Sequence, residues 1–240
     1  MKELDGKVAM VTGSAHGIGK AIAIALAEKG ANIVLADTDT AGMQSVAKSI
    51  TALGVQAEAV PTDVTNEQQV DNLFAKTMQR FGRVDVLVNN AGLFGASPID
   101  EMSTETWDRL IAVDLRGPFL CTRSAFRIMK KQGGGRMINI GSISAQRVRP
   151  NNAAYSVAKF GLTGLTHTVA LEGRKYGINC GILHPGEVFH ERIPREKQKE
   201  PAMTPEQIAA AAAYMACQPP DVNVLELIQL NPLQPYVGRG

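Results

Sequence analysis

The sequence predicts an α/β protein built on a doubly wound parallel sheet. Short, nearly continuous apolar runs alternate along the chain with longer segments of helical periodicity. Continuous apolar strands indicate a sheet that is covered on both faces, and right-handed crossovers place helices on each side of it. We therefore predict the three-layer αβα sandwich of the Rossmann fold, with residues 1–240 forming one domain.

Each strand is predicted from an apolar run that ends at a turn residue; Gly13 ends the first run and Asp37 the second. The predicted strands are Val8–Thr12, Asn32–Ala36, Gln56–Pro61, Val84–Asn89, Arg136–Ile140, Asn179–Leu183 and Asn223–Gln229.

Helices are predicted between these strands, and Gly30 and Gly54 are typical C-terminal stops for the first two. The predicted helices are Ile18–Lys29, Ala41–Leu53, Glu67–Phe81, one beginning near Thr104, Pro118–Lys130, Ala153–Tyr176 and Pro205–Cys217. The segment at about 186–205 is rich in proline and charge, and we interpret it as a substrate flap.

Composition excludes several classes of protein. The 25 Lys+Arg nearly balance the 23 Asp+Glu, which argues against a nucleic-acid binder. The three cysteines are far apart and lack a CxxC pair, so that neither a disulfide framework nor a metal site is expected. No apolar run is long enough to span a membrane and the N-terminus lacks a secretory pattern, so we expect a cytoplasmic protein.

The loop Thr12–Gly19 follows the first predicted strand and opens the first helix. Its GxxxGxG spacing suits a tight turn, a close backbone approach to phosphate, and close helix–strand packing. The helix N-terminus would add N–H groups and positive dipole. Glycines alone are also compatible with an ordinary turn, but this context favours a dinucleotide site. Its phosphate-binding residues are predicted to be Gly13, Ser14, Gly17, Ile18 and Gly19.

Asp37 ends the second predicted strand, where a carboxylate can accept both ribose hydroxyls of adenosine and repels a 2′-phosphate. None of its neighbours Thr38, Asp39 and Thr40 is an arginine that could hold such a phosphate. We therefore favour NAD over NADP. Two observations weigh the other way: His16 is a potential cation on the loop, and Asp37 could be only a cap or turn residue.

Tyr155 and Lys159 lie one turn apart on a predicted helix and share a face. A phenol has an ordinary pKa of about 10, and an adjacent ammonium stabilises its ionised form. Such a pair can exchange a proton with an alcohol or a ketone. Ser142 follows a strand and could donate a hydrogen bond to the same oxygen. A tyrosine and a lysine at this spacing are also common as ordinary helix residues.

Taken together, these motifs resemble those of the short-chain dehydrogenases/reductases of single-domain length, over residues 4–230. The matching residues are Thr12–Gly19, Asp63-Val64, Asn89-Asn90-Ala91-Gly92, Ser142, Tyr155 with Lys159, and Pro185-Gly186. The resemblance implies an oxidoreductase that interconverts a secondary alcohol and a ketone, with the hydride chemistry supplied by the cofactor, here NAD.

The resemblance also implies roles for single residues. Tyr155 would be the acid/base, Ser142 would polarise the substrate oxygen, and Lys159 would also hold the nicotinamide ribose. The other expected cofactor contacts, beyond the phosphate loop and Asp37, are Asp63 and Val64 at adenine, Asn90, Ala91 and Gly92 along the adenosine and ribose, and Pro185, Gly186 and Val188 at the nicotinamide.

Three positions depart from the family pattern. Asp114 replaces the usual Asn beside the lysine, and we expect it to belong to the catalytic group, to stabilise Lys159 and to change the pH optimum. His190 replaces a Thr that often contacts the carboxamide. The C-terminal VDGG ending is absent, so the subunit packing or the pocket wall is expected to differ.

The segment between Ser142 and Tyr155 is polar and basic. The flap adds further charge with Glu187, His190, Arg192, Arg195, Lys197 and Lys199. We expect a polar or anionic substrate such as a sugar, a polyol or a hydroxy acid, bound by Ser142, Tyr155, Arg149 and Asn152. The same charges could instead be solvated or bridge subunits.

Two other functions stay open: an NADP-dependent carbonyl or 3-oxoacyl reductase, and a non-catalytic dinucleotide-binding regulator. Neither His167 nor His184 is expected to be catalytic, and His167, inside the long helix, is expected to be a packing or interface residue. The helices at 118–130 and 153–176 carry apolar residues on more than one face, which together with the resemblance predicts a homotetramer.

Overall fold

The computed structural model describes residues 2–189 and 201–236, and within them one seven-stranded sheet forms the middle layer. All of its strands are parallel and run in the order β3-β2-β1-β4-β5-β6-β7. The strands are β1 Val8–Thr12, β2 Asn32–Asp37, β3 Ala57–Pro61, β4 Val86–Asn89, β5 Gly135–Ile140, β6 Ile178–Pro185 and β7 Glu226–Gln229. The predicted doubly wound αβα fold is confirmed.

Helices cover both faces of this sheet. They are α1 Gly17–Glu28, α2 Thr40–Thr51, α3 Glu67–Phe81, α4 Thr104–Ile111, α5 Gly117–Gln132, α6 Ala153–Gly173 and α7 Pro205–Ala216. Helices α1, α2 and α7 pack against one face, while α3, α5 and α6 pack against the other. In the described part of the chain, no helix has both the length and the apolar character needed to cross a membrane.

The apolar side chains of β1 alternate between the two cores, as a strand buried on both faces requires. Ala9 and Val11 belong to the core under α1, whereas Val8 and Met10 belong to the core under α3 and α5. Burial on both faces explains why the strands have continuous apolar sequences rather than alternating ones.

Several predicted boundaries were wrong at the ends of elements. β4 begins at Val86 rather than Val84, and β7 begins at Glu226 rather than Asn223. Helix α6 ends at Gly173 rather than Tyr176, and a 3₁₀ turn at Arg174–Tyr176 follows it. Between α4 and α5 the chain forms a π-helical turn, Ala112–Arg116, which the sequence did not predict.

Part of the predicted flap lies outside the described residues. That part contains His190, Arg192, Arg195, Lys197 and Lys199. Its two described ends lie side by side, because Val188 pairs with Met203. The N–H of Phe189 donates to the Met203 carbonyl at 2.7 Å, and the N–H of Met203 donates to Glu187 at 2.9 Å.

The strand order reverses direction between β1 and β4, which are neighbours in the sheet. In open α/β sheets, ligands bind in the crevice outside the carboxyl ends of the strands at this reversal. The loops after β1, β4, β5 and β6 therefore border the expected site.

A buried guanidinium holds the connection between α7 and β7. Arg136 of β5 is 6% exposed. It donates from Nη2 to the carbonyls of Gln218, Pro219 and Val222 at 2.9 to 3.1 Å. Burial lowers the pKa of Arg136 from its ordinary value. No carboxylate pairs with it among the described residues, so backbone carbonyls alone compensate its lost hydration.

We expect Arg136→Met to lower the free energy of unfolding by about 2–4 kcal/mol, since three backbone carbonyls lose the donor that holds the connection between α7 and β7. Urea denaturation of the intact chain measures this. The control Arg127→Ala, at an exposed position of α5, should change the free energy by less than about 0.5 kcal/mol. Equal effects of the two substitutions would contradict a specific anchoring role for Arg136.

Candidate active site

The loop after β1 has the backbone that a phosphate cradle requires. Gly13 and Gly17 have φ values of +63° and +50°, a region that side chains other than glycine rarely adopt. A Cβ on Gly17 would meet nothing within 4 Å, whereas one on Gly19 would overlap the Gly13 carbonyl oxygen. The three glycines thus provide the turn, an open approach to the backbone, and close packing of α1. Ser14 is fully buried, and its hydroxyl donates to the Ala36 carbonyl at 3.4 Å.

This loop is joined to the loop after β4 by hydrogen bonds across the strand reversal. Thr12 Oγ1 accepts from the N–H groups of Asn90 and Ala91 at 3.0 and 3.1 Å. In return, the Asn90 side chain donates to the carbonyls of Thr12 and Gly13 at 2.9 and 3.0 Å. The predicted cofactor residues of the two loops are therefore held as one unit.

Two carboxylates lie at the end of β2. Asp37 accepts from the N–H groups of Ala15 and Asp39, each at 3.0 Å. Asp39 caps α2 by accepting from the N–H of Gly42, and its Oδ2 lies 2.6 Å from Nε2 of His16. The Gly42 N–H and the contact with His16 lower the pKa of Asp39. His16, the possible cation of the loop, is therefore engaged by a carboxylate.

Asp63 and Val64 follow β3 on the same side of the sheet. Asp63 accepts from the N–H and the hydroxyl of Thr65 at 2.9 and 2.7 Å, which fixes the turn. Val64 is 6% exposed, and its Cγ2 lies 2.8 Å from the place where a Cβ on Gly117 would be. Both residues lie at the carboxyl edge of the sheet, where adenine binding was predicted.

Lys159 is the centre of the predicted catalytic group. Its side chain comes from α6 and is buried. Nζ donates to the carbonyl of Ile140 at 3.1 Å and lies 3.2 Å from Oδ1 of Asp114. Nζ also lies 5.4 Å from the centre of the half-buried Tyr155 ring. The predicted shared face of α6 therefore brings the ammonium next to the phenol.

Asp114 reaches this lysine from the unpredicted π-helical turn. Its carboxylate is 0% exposed, and Oδ2 accepts from the N–H of Leu93 at 2.9 Å. A Cβ on Gly92 would lie only 2.8 Å from Oδ1, so the glycine makes room for the carboxylate. Single π-turns are frequent at functional sites because they change the direction of one side chain. Asp114 thus connects the loop after β4 to α6.

Burial and pairing act in opposite directions on this ion pair. Burial alone would lower the pKa of Lys159, but the negative charges of Tyr155 and Asp114 outweigh it, and the pKa is raised. Burial raises the pKa of Asp114, and the attraction of Lys159 only partly offsets that rise. Lys159 is therefore a stable cation at neutral pH.

Ser142 lies two residues beyond the end of β5 and is half-buried. Its Oγ accepts from the N–H of Ser144 at 3.1 Å, which leaves its hydroxyl proton available for another acceptor. The Nδ1 atom of His184 lies 2.9 Å from the carbonyl oxygen of Ser142. His184 is fully buried and its pKa is lowered by burial, so it is a neutral residue that positions Ser142. The sequence carried no signal for this contact.

The predicted substrate residues differ in their surroundings. Arg149 is exposed on the loop between Ser142 and Tyr155. Asn152 is 5% exposed, and among the described residues its Oδ1 has no hydrogen-bond partner. Phe94, from the loop after β4, packs edge-on against Tyr155 at 5.3 Å between ring centres. Phe94 therefore lies beside the phenol, and Asn152 lies at the N-terminus of the helix that carries it.

The loop after β6 borders the other side of the site. Pro185 is the last residue of β6, Gly186 follows it, and Val188 pairs with Met203. Gln234, from the C-terminal end of the described chain, packs against Gly186, a contact that the sequence did not predict. No group of three or more His, Cys, Asp or Glu side chains within 2–189 and 201–236 is arranged to hold a metal ion.

Comparison with known proteins places these motifs in a family. The family model described as short chain dehydrogenase matches residues 7–200. A 3-oxoacyl-[acyl-carrier-protein] reductase of Synechocystis sp. is 37% identical over 230 residues, which cover 91% of this chain and 92% of that protein. An uncharacterized oxidoreductase of Staphylococcus aureus is 36% identical over 231 residues, which cover 95% of this chain and 98% of that protein.

Two solved structures resemble the fold closely. The acetoin dehydrogenase of Salmonella typhimurium has a TM-score of 0.85 and 34% identity, over 97% of this chain and 96% of that one. A metagenomic short-chain oxidoreductase in complex with NADP has a TM-score of 0.86 and 32% identity, over 97% of this chain and 100% of that one.

The electrostatics of Asp114 lead to a test by protein stability. Because its pKa in the folded chain lies above that of a free carboxyl, the folded state binds a proton more tightly than the unfolded state. The stability contributed at this position therefore falls as pH rises from about 4 through the raised pKa.

We expect the neutral variant Asp114→Asn to lack this loss. The free energy of unfolding of Asp114→Asn, minus that of the parent chain, should therefore increase as the pH is raised from about 4 to 7. Denaturant titrations at several pH values measure the difference. Asp108→Asn, at an exposed position of α4, is the control and should show no such trend. A difference that falls with pH would mean that pairing with Lys159 outweighs burial.

Proposed function

The chain belongs to the short-chain dehydrogenase/reductase family, and from that membership we propose that it is an NAD(H)-dependent oxidoreductase interconverting a secondary alcohol and a ketone. The observation that carries this proposal is the buried ammonium of Lys159, held 5.4 Å from the Tyr155 ring by Ile140 and Asp114. A buried cation beside a phenol favours its ionised form, which an acid/base at neutral pH requires.

A bound nicotinamide dinucleotide supplies or accepts the hydride of this reaction. In the oxidation, the oxygen of Tyr155 takes the proton of the substrate hydroxyl as the carbonyl forms, and in the reduction it returns that proton. The hydroxyl of Ser142 donates a hydrogen bond to the same substrate oxygen and keeps its proton. Lys159 stabilises the ionised phenol in both directions, and the proton that Tyr155 gains or gives up in one turnover is exchanged with solvent before the next.

The chain's own residues fit a dinucleotide. Gly17 leaves the N-terminus of α1 open, so that backbone N–H groups can bind the pyrophosphate, while Gly13 and Gly19 allow the close packing that shapes the loop. We assign Gly13, Ser14, Gly17, Ile18 and Gly19 to the pyrophosphate and Asp63, Val64, Asn90, Ala91 and Gly92 to the adenosine side. Pro185, Gly186 and Val188 are assigned to the nicotinamide.

NAD is the favoured cofactor because of the charges at the end of β2. Asp37 uses its two oxygens on backbone N–H groups, and the remaining lone pairs can accept ribose hydroxyls. Asp39 adds a second carboxylate and engages His16, so the loop offers no unpaired cation to a 2′-phosphate. The rival function is an NADP-dependent carbonyl or 3-oxoacyl reductase, which the Synechocystis relative and the NADP complex support.

A polar substrate is supported by the surroundings of the phenol. The buried Oδ1 of Asn152 can accept a hydrogen bond from a hydroxyl, and the loop that follows Ser142 carries Arg147 and Arg149. We therefore retain a sugar, a polyol or a hydroxy acid as the substrate class. The similarity to an acetoin dehydrogenase supports adding small hydroxyketones to any substrate panel.

A non-catalytic dinucleotide-binding regulator is disfavoured because Ser142, Tyr155 and Lys159 are all present and Lys159 is paired. We also propose a homotetramer in the cytoplasm. The exposed apolar side chains Phe119, Val157, Phe160 and Leu171 on α5 and α6 support association through these helices.

Replacement of the phenol tests the chemical proposal directly. We expect Tyr155→Phe to reduce turnover by at least about 100-fold because no group then exchanges the substrate proton. The dissociation constant of NADH, measured by fluorescence, should change by less than about threefold. Tyr176→Phe, in the 3₁₀ turn after α6, is the matched control with normal turnover. Turnover in Tyr155→Phe within about tenfold of the parent would refute the assignment.

The cofactor preference is tested by exchanging the charge at β2. We expect the parent to have a higher kcat/KM with NAD than with NADP. Asp37→Asn combined with Thr38→Arg should shift the ratio towards NADP by about 100-fold, since it replaces a repelling carboxylate by a guanidinium. Asp71→Ala, exposed on α3, is the control. A parent chain that prefers NADP would overturn the role given to Asp37 and support the rival reductase.

A further inference from the structure

The described chain ends in a segment, Asn231–Tyr236, that turns back over the carboxyl edge of the sheet. We call it the C-terminal segment. The N–H of Leu233 donates to the Asn231 side chain at 3.0 Å, and the N–H of Gln234 donates to the Asn231 carbonyl at 2.9 Å. These bonds fix a compact turn directly after β7. The turn carries Gln234 inward, where it is 6% exposed.

Gln234 is locked against the loop after β6. Its Oε1 accepts from the N–H of Glu187 at 2.9 Å. A Cβ on Gly186 would overlap this same oxygen and would lie 2.8 Å from Cδ2 of Leu230. The carboxamide of Gln234 therefore occupies the space that any larger residue at 186 would fill. Glycine at this position is required by the close approach of the C-terminal segment.

The other end of the segment reaches the loop after β5. The hydroxyl of Tyr236 donates to Oε1 of Gln146, and the guanidinium of Arg147 lies 5.0 Å from the centre of the Tyr236 ring. Gln146 in turn donates weakly to Glu226 of β7 at 3.5 Å. A cation over an aromatic face and a hydroxyl–amide bond together hold this loop.

A third contact ties the segment to the described end of the flap, because the Asn231 side chain donates to the Ala202 carbonyl at 3.3 Å. One short segment thus touches the loop after β5, the loop after β6 and the flap. Ser142 lies two residues beyond the end of β5, and Gly186 directly follows β6. A substrate oxygen that meets Ser142 and Tyr155 must lie beyond the carboxyl end of β5, at the edge of the sheet where the C-terminal segment makes these contacts.

We infer that the C-terminal segment is a wall of the substrate cleft, in which Gln234 positions the loop at Gly186–Glu187 and Tyr236 positions the loop at Gln146–Arg147. This inference rests on the proposed function. The wall is built from a carboxamide, a phenol and the guanidinium of Arg147, and we expect it to favour compact polar substrates over bulky acyl groups.

Point variants test the two contacts without removing the segment. Gln234→Met keeps the length of the side chain but cannot accept from Glu187, and Tyr236→Phe removes only the hydroxyl. We expect either variant to raise KM for a small hydroxyketone about fivefold or more, with a smaller change in kcat. The kcat/KM advantage of small over bulky ketones should fall by a similar factor. The dissociation constant of NADH should stay within about twofold in Tyr236→Phe, which leaves the loop assigned to the nicotinamide intact.

Two truncations test the whole wall. Ending the chain after Leu230 should abolish most of the size selectivity, whereas ending it after Tyr236 should preserve it. Melting temperatures show whether each truncated chain is folded, and the point variants decide the question if the shorter one is not. KM values and size selectivity equal to those of the full chain in both point variants would overturn the inference.

Hydrogen exchange separates this inference from the proposed function. In the full chain, Gln234 should protect the amide of Glu187, and Gln234→Met should speed its exchange about tenfold or more. An unchanged exchange rate of the Glu187 amide in Gln234→Met would refute the contact by which Gln234 positions this loop, whatever activity the variant has. No turnover of any ketone or alcohol by the full chain, with normal Glu187 protection, would instead count against the proposed function alone.

Discussion

The ion pair between Lys159 and Asp114 is the interaction on which the rest of the site depends. Both side chains are buried, and a buried charge is tolerated only when it is paired and hydrogen-bonded. Four parts of the chain meet this requirement: the carbonyl of Ile140 in β5, the N–H of Leu93 after β4, the π-helical turn and α6. Because these contacts hold Nζ next to Tyr155, the fold delivers a positive charge to the phenol without any large movement. The carboxylate makes the buried pair neutral overall, so less of that charge acts on the phenol than beside the family's usual asparagine.

The nucleotide end of the site is organised by hydrogen bonds rather than by buried charge. Thr12 and Asn90 exchange bonds across the strand reversal, so the loops after β1 and β4 cannot move independently. Asp37 and Asp39 place two carboxylates at the end of β2. Asp39 pairs with His16, and this pairing changes the role that we assign to the histidine of the phosphate loop. In the sequence that histidine is a possible phosphate ligand. In the structure it is the partner of a helix-capping carboxylate.

Prediction from the sequence succeeded where a local pattern corresponds to one structure. Continuous apolar runs predicted the strands because both faces of the sheet are buried, and the spacing of Tyr155 and Lys159 predicted their shared helix face. It failed where contacts between distant segments decide. The π-helical turn at Ala112–Arg116 has no local signature, since its geometry follows from the contacts of Asp114 with Leu93 and Lys159. His184 likewise contacts Ser142, which is 42 positions away in the chain, and Gln234 contacts Glu187, which is 47 positions away.

The sequence by itself therefore determined the fold class, the order of the elements and the family. It also singled out the loop Thr12–Gly19, Ser142 and the Tyr155–Lys159 pair as candidate site residues, because periodicity and motif spacing are local properties. Only the tertiary structure decided which groups surround Lys159, that His16 pairs with Asp39, that His184 supports Ser142, and that the chain's C-terminal segment lies beside the predicted substrate loop. These outcomes depend on which distant atoms share a buried space, and the energy of a buried polar group is set by those neighbours rather than by its place in the sequence.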